Sequence, residues 1–97
     1  MSVSLWENAP ATAEVMMAPV RTIVLARAKL EDWERIVGHI DALMVEPEVS
    51  AADKMTLGLE RMAARVGMIA CERLIVEAEK EHARQVANFQ RRAGWLL

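Results

Sequence analysis

Residues 23–44 read IVLARAKLEDWERIVGHIDALM, and the spacing of their apolar positions decides the fold. Ile23, Ala26, Leu30, Trp33, Val37, Ile40 and Met44 recur at alternating intervals of three and four, which is a heptad seam along one side of a helix. Ile36 and Leu43 widen that stripe beyond a strict coiled-coil face. Lys29, Glu31, Asp32, Arg35 and His39 take the other side, with Glu31 and Arg35 spaced for an i,i+4 ion pair. The pattern predicts a first long helix over 19–46. Pro19 suits a first helical turn, and Glu46 stands before Pro47, which pushes it out of the α region.

Beyond Pro47, Ser50-Ala51-Ala52-Asp53 reads as an N-cap followed by an acidic residue at N3. No strong stop follows until Ala93-Gly94-Trp95, where Gly94 suits a left-handed C′ position and Trp95 could fold back on Phe89. A second helix is therefore expected over 50–93, about 65 Å long, with Gly58 and Gly67 each weakening it by about 1 kcal/mol. The first helix would reach only ~40 Å and leave half of the second uncovered. A short helical segment within 1–18, capped at Asn8 and carrying Val15, Met16 and Met17, could continue its line past a break at Pro19. A disordered tail is the alternative. The expected fold is all-α: a long antiparallel hairpin in one domain, plus a short N-terminal segment.

The second helix has two apolar phases. Met55, Leu59, Met62, Val66 and Ile69 form one seam, and Met68, Ile75, Val86, Phe89 and Ala93 form another, shifted around the helix. Where they overlap, residues 66–76 are apolar nearly all round, which one antiparallel neighbour cannot bury. The composition agrees, being 54% hydrophobic but only 4% aromatic. A homo-oligomer is the expectation, most simply a dimer forming a four-helix bundle, with Val66, Ile69, Leu74 and Ile75 at its interface.

Composition also excludes. A net charge of −2 with acids and bases mixed throughout speaks against a phosphate-tracking surface. No apolar run approaches a membrane span, and the N-terminus lacks the features of a signal peptide, so a cytoplasmic protein is expected. The single cysteine, Cys71, sits in the apolar run Met68-Ile69-Ala70-Cys71 and reads as a buried thiol. No Gly-rich phosphate loop, Ser/His/Asp grouping or Cys/His pairing is present, and His39 reads as a surface residue, so no catalytic residue is assigned.

The most pointed chemical feature is Glu79-x-x-His82, which puts a carboxylate and an imidazole on one helix face. Ferritin-like di-iron bundles use that pair with further glutamates from neighbouring helices. The string Glu79-Lys80-Glu81-His82-Ala83 resembles the local sequence around this motif in encapsulated ferritins and rubrerythrins. That resemblance implies a carboxylate bundle binding iron or another divalent metal, with a metal-dependent oxidase as its activity. It covers about six residues. Glu72 lies on the same seam, and a hairpin turning near residue 48 would set Glu14 roughly opposite His82, giving a metal set of Glu14, Glu72, Glu79 and His82. Against this, the first helix has no second such pair, because Ile36 stands where a glutamate would precede His39. The plainer reading is a solvated charged face with no cofactor.

The methionines read mainly as core filler, or else as an adaptable binding surface. Trp6 is hard to place in a hairpin core and, with Met16 and Met17, is a candidate anchor for a partner. The leading expectation is a non-enzymatic protein–protein interaction protein: an adaptor, antiactivator-like regulator or assembly subunit that buries an apolar helix face against another protein. The carboxylate metalloprotein is the first alternative. A nucleic-acid-binding dimer using Arg84, Arg91 and Arg92 is the second.

Overall fold

The structure is a computed structural model that describes the backbone of residues 5–95 and the side chains of residues 14–94. Two helices, α1 (Leu5–Met44) and α2 (Ala51–Trp95), pack against each other as an antiparallel hairpin. The result is a rod of 73 × 18 × 16 Å. Its radius of gyration is 21.6 Å, against about 13 Å for a compact chain of this length.

The turn forms where proline and serine punctuate the sequence. Glu46 N–H donates to Leu43 O at 3.2 Å, and Val49 N–H to Glu46 O at 3.3 Å. Ser50 then caps α2 as its sequence predicts: Oγ accepts from Asp53 N–H at 3.1 Å, and its carbonyl accepts from Lys54 N–H at 2.9 Å. The far end of α2 differs from expectation. No glycine among the described residues has a positive φ, so Gly94 is helical and α2 runs on to Trp95 instead of stopping at a left-handed cap. The Trp95 side chain lies outside the described residues, and with it the expected contact on Phe89.

The N-terminal segment and first helix expected on either side of Pro19 are one unbroken helix of 40 residues. A proline inside a helix costs about 3 kcal/mol, because it removes one hydrogen bond and crowds the preceding turn. Two features offset that cost here. Pro19 is itself buried against α2, and the continued helix matches the length of α2, so the back half of α2 gains a partner. Val15, whose carbonyl loses its donor, is on an exposed stretch that water can reach.

The α1 seam is the predicted one, extended backwards to Met16 and Pro19. Ala26 and Ile40 are buried, and Ile23, Leu30, Trp33, Val37 and Met44 are half-buried. On α2 the opposing seam is Leu57, Ala64, Met68, Cys71, Ile75 and Ala78, and its most buried members are small. Large α1 side chains thus pack against a lane of small α2 residues. The helices approach closely at Gly67, where an added Cβ would lie 2.6 Å from Trp33 Cε2. Two ion pairs tie the register: Arg61 to Asp41 at 2.7 Å and Arg27 to Glu79 at 3.3 Å. Both are partly exposed, so each contributes less than about 1 kcal/mol and acts mainly on alignment. The expected Glu31–Arg35 pair does not form; Arg35 instead meets Asp32 at 2.9 Å.

Candidate interaction surface

Among the described residues, none covers one face of α2. Met55, Leu59, Met62 and Val66 are 66–75% exposed, and Ile69 and Val76 about half. With Arg73 these positions follow alternating steps of four and three, so they form a second heptad seam. At 100° per residue this seam lies roughly 160° around α2 from the one that faces α1. Ala63 and Ala70 border it on one side, and Arg65 and Glu72 on the other, all exposed.

Its extent shows in the surface of the whole chain. A compact 10.9 kDa monomer exposes about 5,600 Å², whereas this one exposes 7745 Å². The rod shape accounts for part of the excess, and the rest includes apolar side chains that a monomeric protein would normally cover.

The residues singled out in the sequence separate in the structure. Val66, Ile69 and Leu74 are exposed, whereas Ile75 belongs to the seam facing α1 and is half-buried there. Met16 is half-buried on the α1 seam and Met17 is exposed beside it; the Trp6 side chain lies outside the described residues. Cys71 is buried and free. His39 is exposed, beside Trp33 and Ile36 in a shallow groove on the outside of α1.

The four residues of the metal set are not brought together. Glu79 accepts from Arg27, Glu14 accepts from Arg21 at 3.0 Å, and Glu72 is exposed. Trp33 on Gly67 and Val15 in a groove with Gln85 fix the register, which sets Ala18 and Pro19 level with Glu81 and His82. Glu14 lies about 6 Å further along the rod than the sequence reading placed it. Among the described residues no group of three or more His, Cys, Asp and Glu side chains is placed to hold a metal. His82 Nδ1 and Gln85 Oε1 are buried without a hydrogen-bond partner in this region. The nearby Glu81 is held below its ordinary carboxyl range, chiefly by the Arg84 guanidinium donating at 2.7 Å and also by Gln85 at 3.0 Å, against the opposing effect of burial. A group shifted this way helps the fold above the ordinary carboxyl range and loses that contribution as pH falls through its lowered value.

The basic candidates are engaged locally. Arg84 pairs with Glu81, and Arg91 donates to Asn88 Oδ1 at 2.7 Å, while Arg92 is exposed. No described helix is long and apolar enough to cross a membrane. Sequence reasoning found the outer stripe of α2 but missed the small seam of Ala64, Gly67 and Ala78 opposite it. The missing signal was seven-residue recurrence of small residues, visible at Ala64, Cys71 and Ala78. Compared with protein-family models, curated proteins and solved structures, the chain matches none.

Proposed function

We propose that this chain is a non-enzymatic protein–protein interaction module that acts by burying the outer face of α2 against another protein chain. The observation that carries this reading is the heptad seam of Met55, Leu59, Met62, Val66, Ile69 and Val76, left exposed by a hairpin that already buries the opposite side of the same helix. A seam of this spacing is what a partner helix packs into. Apart from Arg73 the stripe is apolar, and it is bordered by small and charged side chains, a make-up suited to packing against a helix. In this reading the protein works as an adaptor, regulator or assembly subunit through contact alone.

The test is light scattering on purified wild type beside Val66→Glu. Wild type is expected at a mass above 10.9 kDa, alone or with a co-purifying chain, and the variant at the monomer mass with its helical circular dichroism kept. A wild type that is monomeric and partnerless, with Val66→Glu no more soluble, would sink the reading. The charge in Val66→Glu faces solvent in the isolated hairpin, so loss of association would not reflect unfolding.

A further inference from the structure

Resting on that reading, we propose that the occupant of the outer α2 face is a second copy of this chain, packed antiparallel about a two-fold axis near residues 67 and 68. The partner helix would be the same α2, and the charges bordering the stripe select one register.

An antiparallel pair of heptad seams can be aligned only in steps of seven residues, counted as the sum of the two opposing residue numbers. Leaving aside the alignment of Val66 on Val76 of the second copy, which covers only 66–76 and sets Glu72 against its own symmetry mate, three alignments bring the stripe against itself. In the shortest, Leu59 opposes Met62 of the second copy; the overlap covers only the first half of the stripe and leaves Val76 in water. In the middle one, Leu59 opposes Ile69 of the second copy, but Arg65 then meets its own symmetry mate across the axis, a like-charge contact that costs stability. In the longest, Leu59 opposes Val76 of the second copy and Val66 opposes Ile69 of the second copy, each contact occurring twice. Only here does Arg65 fall beside Glu72 of the second copy, and the symmetry makes that pair twice as well. Neither Arg65 nor Glu72 has an ion-pair partner among the described residues of its own chain, while other charges of the hairpin, such as Arg27, Asp41 and Glu79, do. Ala63 faces Ala70 of the second copy on the other border, where small side chains let the helices close up.

The area is adequate. At the observed exposures, the large side chains of the stripe present on the order of 600 Å² per chain, so two copies would bury on the order of 1,200 Å², within the range of stable interfaces. Because the two seams lie on opposite sides of α2, the assembly would be a flat row of four helices, α1–α2–α2–α1, and not a square bundle. Arg73 and Lys80 would lay their stems over Met62 and Met55 of the second copy and keep their charges in water.

The test uses the full chain with Cys71→Ala, a small-for-small change, so that added cysteines report alone. Leu59→Cys and Val76→Cys chains, one of them tagged, are mixed and oxidised. The mixture is expected to cross-link at least tenfold more than either chain alone, because each residue lies far from its own symmetry mate in the proposed register. Arg65→Glu is expected to raise the dimer Kd roughly tenfold, and Arg65→Glu with Glu72→Arg to restore it. Cross-linking of Leu59→Cys with Ile69→Cys instead, or none in a species that scatters as a homodimer, would overturn the register while leaving the interaction face standing. A wild type that associates only with a different co-purifying protein would overturn the second copy. A monomer insensitive to Val66→Glu would remove both this inference and the function it rests on.

Discussion

At the scale of single residues, the hairpin depends on what is absent from α2 more than on what is present. Gly67 leaves the space that the Trp33 indole fills, and a methyl group there would meet the ring at 2.6–2.9 Å, a distance that neighbouring atoms must relieve. Trp33 is held between its own helix and α2, so it cannot swing away without exposing the centre of the seam. Gly67→Ala is therefore expected to lower stability by about 1–3 kcal/mol even though alanine is the better helix former. Gly38 is the internal control, because it is exposed and nothing stands within 4 Å of its added Cβ. Gly38→Ala is expected to raise stability by up to about 1 kcal/mol. Urea denaturation of the two variants beside wild type checks both signs, and a stabilised Gly67→Ala would mean that the close contact with Trp33 is not made in solution.

At the scale of helices, Ser50 separates two long elements across a short turn. Its hydroxyl satisfies Asp53 N–H, so Ser50→Ala is expected to cost about 1 kcal/mol, and Ser50→Asp to cost little, as measured by thermal melts. That cap, the α1 seam and the two apolar phases of α2 were all readable from residue order, because each rests on local chemistry or on periodicity. The course of the chain through Pro19 was not. Proline argues locally for a helix start, and only the length of α2, a non-local fact, outweighs it. Gly94 misled in the same way, since a glycine permits a left-handed stop without requiring one. The small members of the inner seam, Ala64, Gly67 and Ala78, escaped notice because alanine and glycine carry little hydropathy, and the value of Gly67 lies in the room it leaves for Trp33. The carboxylate–histidine pair was legible as spacing, but its fate depended on register: Arg27 stands within reach of Glu79 only when the helices are aligned as they are.

At the scale of the whole molecule, two helices bury little. Among the described residues the buried hydrophobic ones are Ala26, Ile40, Ala64, Cys71 and Ala78, and none of these is aromatic. A thin core of this kind gives modest stability by itself, so association along α2 is expected to add to the stability of a hairpin that still folds alone. The melting temperature should then fall with dilution, by roughly 3 °C for each tenfold step if a dimer unfolds to two separate chains. A melting temperature constant from micromolar to millimolar protein would show that the hairpin is stable without its neighbour. The rod form bears on how such samples move. A body 73 Å long and 18 Å wide drags more solvent than a sphere of equal mass, so it diffuses slowly along a sizing column and emerges ahead of globular standards. Its end-over-end tumbling is slower than its spin about the long axis. Amide vectors along the helices therefore relax as though they belonged to a heavier particle, and ¹⁵N relaxation of the monomeric Val66→Glu variant would show that directional drag directly.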